Sequence, residues 1–590
     1  MNDFKNNLLN AIFMIVLPFI IITILYNSNI KNIFNSHNRT AQNKTVLSSV
    51  IHNAPPYPGK IINFSGNGSG ALKMPADRFF INHAPGRSYL RDYALAPKGT
   101  LKVLALMCDF QPDNDPLTTG DGTMKSTNAE IQSAVSKFTD YYKTVSYNAL
   151  NVSVDVSNKV YRVSKVMSYY GESYESSAKL RELINEVFEL SKNEINFANY
   201  DSIMLVHAGC GQESDVANGG VGDTPNDIWS VSFLDAGILI APGKTINHVV
   251  VIPETENQDG NTQNSPLGVT CHEFGHQLGL PDLYDIDSSS LGVGAWDLMG
   301  YGTWRNHGNN PCMLSSWSLA LLGYLTPTEV LSENASLPLD PLSDRPNAYK
   351  IYVKGKEKSA TEYFLVENRQ KKGLDEYIMQ GGILIWHIDD TVGSISDNNV
   401  NSNEERKRVD LEVAEGLDSN GKDRLDYNKP NTAPMSIYDP FYIGYKTKFD
   451  AYTNPPSTAY DKASAPVGIE VLSAPGGSMN LKVTLNKQEM DPKVEISKAY
   501  FYPNPVSNNS GSLYFFLNFN PDTVKIKIFD RNRIKIFEHE TFGQAGANTY
   551  LWNLMDDNLS KVSNGTYIYK ITAGSAAGNA EKMGKIVVLR

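Results

Sequence analysis

The sequence predicts a multidomain fold: an α/β domain over residues 98–327, a β-rich accessory domain over 328–490 and a small Ig-like β-sandwich over 495–590. Three patterns predict it. Buried-strand and amphipathic-helix patterns alternate through the first region. Beyond Pro327 the long helical patterns fade and short strand-like runs replace them. From about residue 495, short strands recur at regular spacing between Gly, Asn and Pro turns, as in β-sandwiches. A chain of 590 residues is also too long for one core, and length alone points to about three or four domains.

The N-terminus precedes these units. No charged residue stands between Lys5 and Lys31, and the gap holds LLNAIFMIVLPFIIITILY, Leu8 to Tyr26. That run is just long enough to cross a bilayer core. Residues 1–30 therefore read as a signal peptide or an uncleaved signal anchor. No small-x-small cleavage site and no lipobox cysteine follows, which favours the anchor. Either way the rest of the chain is exported. Residues 31–97 are polar and then turn-rich, with HNAPPYPGK and FSGNGSG, and read as a linker or short pro-segment.

In the α/β region, KVLALMCDF (Lys102–Phe110) is a buried strand and Asn128–Tyr142 a helix. Leu150–Val163 alternates like a strand. In AKLRELINEVFELSK, the residues Leu180, Leu183, Ile184, Val187 and Leu190 share one helical face. Ser202–Gly209 and Ile246–Glu254 are further strands. After Pro327 come YKIYVKG, EYFLVENR, GGILIWHID, GIEVLS and MNLKVTL, and after residue 495 VKIKIFD, NTYLWNL, GTYIYKITAG and GKIVVLR.

Composition narrows function only by exclusion. Lys plus Arg is 53 and Asp plus Glu is 64, a net charge of −11, which disfavours nucleic acid as a partner. Cys108, Cys210, Cys271 and Cys312 have no CxxC spacing, so a cysteine zinc site is not expected. Export permits disulfides, and buried free thiols are equally compatible.

The chemistry lies in TCHEFGHQLGLPDLYD, Thr270 to Asp285. His272 and His276 are four apart, so a helix places both imidazoles on one face, one turn apart. They can bind one zinc ion. Glu273 sits beside the first ligand and can take the proton of a zinc-bound water as it attacks a carbonyl. Gly279, three residues after His276, ends the helix and turns the chain. Asp282, three further on, is placed to return as third ligand. Asp285 is its rival, with loop structure as its alternative role.

The next stretch, GVGAWDLMGYGTW (Gly292–Trp304), completes a pattern. HExxHxxGxxD followed by a turn containing Met299 resembles the metzincin metallopeptidases. The wording HEFGHQLGLPDLYD, then WDLMGYGTW, resembles the immune inhibitor A-type peptidases. The likeness extends through SSWSLALLGYL, EYFLVENR and GGILIWHIDD, about residues 100–390. It implies that His272, His276 and Asp282 are metal ligands, Glu273 the general base and Met299 the methionine of a hydrophobic floor under zinc. Many metzincins carry histidine where Asp282 stands, and an anionic aspartate makes zinc a weaker Lewis acid. Tyr301 stands where some metzincins place a tyrosine near the metal. It reads equally as an oxyanion donor or a core tyrosine.

Other candidates are weaker. His207 and His248 read as structural strand residues, Trp296 and Trp304 as packing. The resemblance makes His387, beside Asp389 and Asp390, a structural element of the accessory region. Ser396–Asp410 reads as a charged, solvated loop. A structural calcium ion suits an exported peptidase, but no D-x-[DN]-x-[DN]-G pattern occurs, so no calcium site is assigned. The C-terminal unit, opening FYPNPVSNN, resembles the Ig-like module of flagellar hook-capping proteins and the sorting domain of type-nine secretion.

The expected function is an exported zinc endopeptidase acting on proteins or peptides, as a monomer and with membrane attachment if the anchor is retained. The alternative is an inactive surface-binding or adhesive protein on a peptidase scaffold. Glu273 discriminates, because a degenerate domain should lose it or a ligand, and neither is missing.

Overall fold

The computed structural model describes residues 94–589, apart from short stretches at 172–175, 216–223, 243, 259–261, 356–357, 359–360, 429–432, 462, 464, 486–493, 519–520, 522, 542 and 576–577. The apolar run Leu8–Tyr26 lies outside the described residues, as does all but the end of 31–97. Among the described residues no helix is long and apolar enough to cross a membrane.

The first region contains strands β1 (Gly99–Asp109), β2 (Leu150–Arg162), β3 (Ser202–Cys210), β4 (Val231–Phe233), β5 (Ile238–Ala241), β6 (Lys244–Ile246) and β7 (Val249–Thr255). Its helices are α1 (Asn128–Val145), α2 (Met167–Gly171), α3 (Ser176–Ser191), α4 (Leu267–Gln277) and α5 (Ser316–Leu321). The sheet runs β2-β1-β3-β7-β4. Its first four strands are parallel and β4 is antiparallel to β7. A parallel sheet needs cover on both faces, and β1 shows this directly. Val103, Ala105 and Met107 face one apolar cluster with α1 and α4, while Leu104, Leu106 and Cys108 face another with α3.

Two sequence expectations shift. Leu180, Leu183, Ile184 and Val187 are buried, but Leu190 in the last turn of α3 is 46% exposed. Phe188 takes the buried position there. Periodicity marks a face, not where the opposing surface ends. His248 lies between β6 and β7 rather than within a strand. All four cysteines are buried free thiols.

Past α5 the chain is β-rich: β8 (Thr328–Glu329), β9 (Asn334–Leu339), β10 (Tyr349–Tyr352), β11 (Glu362–Arg369), β12 (Gly382–Asp389), β13 (Val409–Leu411), β14 (Lys448–Phe449), β15 (Gly468–Val471) and β16 (Met479–Thr484). One sheet runs β13-β12-β11-β10-β8 and a second β14-β15-β16-β9. In β12 every position is buried. Leu384, Trp386 and Ile388 join the cluster that holds α4, whereas Ile383 and Ile385 face the second sheet. The first apolar cluster thus runs unbroken from α1 and β1 to β12.

The remaining strands are β17 (Ile496–Tyr502), β18 (Gly511–Leu517), β19 (Thr523–Phe529), β20 (Lys535–Thr541), β21 (Gly546–Trp552), β22 (Gly565–Ser575) and β23 (Gly578–Val588). They form antiparallel sheets β17-β18-β21 and β20-β19-β22-β23. Alternate residues Leu513, Phe515 and Leu517 of β18 meet Val524, Ile526 and Ile528 of β19 and Tyr569 and Ile571 of β22 in one cluster.

Arg369, at the end of β11, is fully buried and fastens the accessory sheet to the segment around Met299. Its guanidinium donates to both Asp375 oxygens at 2.6 Å, to Glu367 Oε1 at 3.1 Å and to the carbonyl of Trp296 at 2.9 Å. Glu367 accepts in turn from the Ser316 N–H at the start of α5 (2.6 Å). Arg369→Ala leaves two buried carboxylates without their cation, and breaking such a pair costs about 3–5 kcal/mol. Chemical denaturation should show that loss, and a change under about 1 kcal/mol would remove Arg369 from this role.

Candidate metal centre

Helix α4 is buried at every position, because it packs between the parallel sheet and the Met299 segment. Its Cys271 carbonyl accepts from the Tyr142 hydroxyl of α1, and its Gln277 amide oxygen from Ser202 of β3 at 2.7 Å. The helix ends where the sequence places its stop. Gly279 has φ +98°, a conformation L side chains resist. The Leu280 N–H donates to the Gly275 carbonyl at 3.1 Å and the Gly279 N–H to that of His276 at 2.9 Å. This paired arrangement is a Schellman reversal, and it sends the chain back past the helix end.

The reversal brings Asp282 to both histidines. Asp282 Oδ1 lies 3.0 Å from His272 Nε2 and 3.4 Å from His276 Nε2. The two imidazoles stand edge to face, centroids 4.8 Å apart. Each ring is oriented from its other side. His272 Nδ1 faces the Leu298 carbonyl at 3.1 Å and His276 Nδ1 that of Leu280 at 2.8 Å. A carbonyl can only accept, so each Nδ1 carries a proton and each Nε2 is left facing Asp282.

The residues present fit a metal ion. Donor atoms from His272, His276 and Asp282 lie within 4.8 Å of one another. Tetrahedral ligand bonds of about 2.0–2.1 Å hold donors roughly 3.3 Å apart, close to the 3.0 and 3.4 Å found. His272 Nε2 and Asp282 Oδ1 are buried and have no hydrogen-bond partner beyond the facing atoms of this cluster, an arrangement that a shared metal ion satisfies.

Charge follows the same geometry. Burial opposes ionisation of Asp282, but the His276 and His272 imidazoles hold its carboxyl well below the usual range. Burial raises Glu273 to about 7, and the two imidazoles pull against that rise. Glu273 is 2% exposed and adjoins His272 in the helix.

Met299 packs against α4 at Gly275. A Cβ added at Gly275 would come within 2.8 Å of Met299 Sδ, so glycine there lets the methionine approach. The Met299 N–H donates to Asp297 Oδ1 at 2.7 Å, and its carbonyl accepts from Leu283 at 2.8 Å. Tyr301 begins a short 3-10 turn (Tyr301–Trp304) and is buried. Asp285 points into its own loop: its carboxylate accepts from Ser289 Oγ at 2.8 Å, Ser290 N at 2.9 Å and Asp287 N at 3.1 Å.

Two residues at this centre escaped the sequence reading. The Tyr284 ring stacks on His272, centroids 6.1 Å apart, and burial and the Asp282 carboxylate raise its phenol. Asn398 grips Asp282 twice. Its Nδ2 donates to Asp282 Oδ2 and its Oδ1 accepts from the Asp282 N–H, both at 2.6 Å. This corrects the expectation that Ser396–Asp410 is a solvated loop. Asn398, Asn401, Lys407 and Arg408 are buried, and Asn401 Nδ2 donates to the Leu283 carbonyl at 3.1 Å. The exposed charges of Glu405 and Arg406 disguise a segment whose amides turn inward.

The other histidines stay apart from the centre. His207 is buried against Phe110, with Nδ1 facing the Ala208 carbonyl at 2.9 Å. His387 lies between Glu362 (3.0 Å) and Glu412 (3.2 Å) and stacks on Tyr460 at 4.2 Å. Burial opposes its protonation, but those carboxylates raise it to about 9.

The centre and its helix define a metallopeptidase-type catalytic domain. Residues 198–323 match the family model of the immune inhibitor A peptidase M6 catalytic domain, and the chain carries a metalloprotease domain of that family. Residues 500–588 match the secretion system C-terminal sorting domain, which implies export to the outer surface or extracellular space. The pre-pro-metalloprotease PrtV of Vibrio cholerae is 29% identical over 219 residues, 31% of this chain and 23% of its own. Immune inhibitor A of Bacillus thuringiensis subsp. alesti is 36% identical over 117 residues, 18% of this chain and 15% of its own. The chain thus spans under a quarter of the length of these relatives. A crystal structure of FLGD from P. aeruginosa aligns with 16% of this chain and 76% of its own at 12% identity, TM-score 0.13.

Asn398→Gly keeps the backbone freedom needed at φ +53° but removes both contacts to Asp282. Loss of such a supporting contact typically weakens metal binding by about 10–100-fold. Chelator competition measures it, and unchanged affinity would show that Asp282 is placed without Asn398.

Proposed function

We propose that this chain is an exported zinc endopeptidase that hydrolyses peptide bonds in proteins. In this reading residues 98–327 form a metzincin-like catalytic domain, 328–490 a β-rich accessory domain, and 495–590 an Ig-like sandwich that directs secretion. The observation that carries the reading is the convergence of His272 Nε2 and His276 Nε2 on Asp282 Oδ1, at 3.0 and 3.4 Å, with an intact Glu273 beside His272. A borderline-soft ion bound by two imidazoles and a carboxylate is zinc in preference to calcium or magnesium.

Zinc held there would acidify a water and polarise the scissile carbonyl. His272 and His276 would hold it through Nε2, while each Nδ1–H donates to a backbone carbonyl. Asp282 would add a negative charge to the ligand set and so make a bound metal a weaker Lewis acid than a third histidine would. Glu273 takes the proton of the attacking water on its carboxylate and delivers it to the leaving nitrogen. Met299 closes the centre from below. Tyr301 is assigned to donate to the oxyanion.

Glu273→Gln keeps shape and metal but cannot accept a proton, so casein turnover should fall by about 10²–10⁴ or more at unchanged zinc content. Asp282→Ala should lose zinc affinity and activity together, partly restored by excess zinc. A fully active Glu273→Gln protein would end this mechanism. Full zinc and activity in Asp282→Ala would move the third ligand elsewhere.

Removing residues from 494 onward should leave cleavage intact and change where the protein accumulates, since none of the named site residues lies beyond that point. Loss of zinc from a folded truncation would show that the sandwich supports the catalytic centre.

A further inference from the structure

The accessory region holds an amine and a carboxyl group in contact, away from water. Lys407, two residues before β13, is 0% exposed. Its Nζ donates to Asp426 Oδ1 at 2.5 Å and to Asp410 Oδ1 at 2.8 Å. Asp426 closes the short 3-10 turn Arg424–Asp426, and Asp410 stands in β13. Asp423, at the head of the turn, adds a third buried carboxyl. The adjoining Val409 and Leu425 belong to the apolar cluster that holds α4. Among the described residues, two acceptors face the three N–H groups of the ammonium.

The carboxyl group of Asp426 is held for more than charge pairing. Its Oδ2 accepts from the Asp423 N–H at 3.0 Å. The Asp423 carboxylate accepts in turn from Leu425 N at 2.6 Å and from Asp426 N at 3.3 Å. Asp426 therefore presents Oδ1 to the amine and keeps Oδ2 on a backbone donor. Three parts of an acyl-transfer site coincide here. Lys407 is the nucleophile and Asp426 Cγ the electrophile, and an N–H meets the oxygen on which charge develops as the carbon is attacked. Asp410 supplies the fourth part. It touches the same Nζ, and burial raises its carboxyl to about 6 against the pull of Lys407, so it is suited to carry a proton away from the amine. Burial opposes the charge on Lys407, but Asp410, Asp426 and Asp423 outweigh it, and the ion pair is the starting state.

We propose that Lys407 and Asp426 condense to an intramolecular amide, a covalent cross-link between the approach to β13 and the Arg424–Asp426 turn. One ammonium proton passes through Asp410 to Asp426 Oδ1, which leaves a neutral amine facing a neutral acid. The nitrogen lone pair forms the N–C bond at Cγ, and charge gathers on Oδ2 beside the Asp423 N–H. A second nitrogen proton follows the same route, and Oδ1 leaves as water with its bonding pair. The third proton stays on the amide nitrogen, and Asp410 ends as it began. No oxidant, reductant or outside reactant enters. Leu425 lies within the closed loop, and its carbonyl accepts from Leu291 N at 2.8 Å, so the bond also steadies the chain that leads to Met299. The inference does not rest on the peptidase reading.

The test is the mass of the full-length protein, purified and then denatured, because a covalent bond survives unfolding. With its N-terminus read by sequencing, wild type should be one water lighter than its sequence. Trypsin should release Lys407 and Asp426 in one branched peptide. Lys407→Arg keeps the positive charge but has no amine to acylate, and should show the full mass of its own sequence, as should Asp426→Ala. Asp410→Ala keeps both reacting groups and should leave most chains unlinked; full linkage there would overturn Asp410 as the proton carrier. Full wild-type mass, with the two residues in separate peptides, overturns the proposal and leaves an ion pair. So does the same water loss in Lys407→Arg, or fragment ions that join Lys407 to Asp410. The decisive reading is made on wild type, so a variant that fails to fold does not stall the test.

Discussion

Two imidazoles on one helical turn can fill only two corners of a metal's coordination sphere, and the third must come from chain that has left the helix. The reversal at Gly279 meets that requirement, and much of the centre depends on it. The turn that brings Asp282 back also presents the Leu280 carbonyl to His276 Nδ1, so one backbone path orients the imidazole and delivers the carboxylate beside it. The returned strand is then held by the Leu283–Met299 hydrogen bond. Helix end, Asp282 and Met299 therefore form one connected arrangement, and none can move far without the others.

Around this arrangement the protein uses buried charge as fastening. Arg369, Lys407 and His387 each sit in the interior between carboxylates. Buried pairs of this kind add little net stability compared with apolar packing, but they tolerate few alternative geometries. Here they hold loops that have little regular structure of their own, including the segment after β12 that reaches Asp282.

What was legible in the sequence were the features with short-range spacing. The i, i+4 histidines, the glycine three later and the aspartate three beyond follow from local geometry, whereas the turn with Met299 was implied by the family resemblance; the structure brings these residues close together. Strand and helix alternation likewise exposed the α/β sheet. Asn398 was illegible because it lies 116 residues from Asp282, in a run whose exposed charges outnumber its inward amides. Leu190 was misplaced because helical period carries no information on where the opposing surface stops. The apolar run in β12 signalled burial on both faces, yet not that one face would share a core with α4. Contacts between distant segments leave no mark in composition.

That shared core has a consequence for survival outside the cell. An enzyme proposed to cut proteins lives among copies of itself, and its own backbone is vulnerable wherever a segment opens before the whole unfolds. A catalytic layer with its own small core could detach and fray. Because the apolar cluster runs from α1 through α4 into β12, opening either layer exposes the other. Resistance to self-digestion is then a property of the joint, not of either layer.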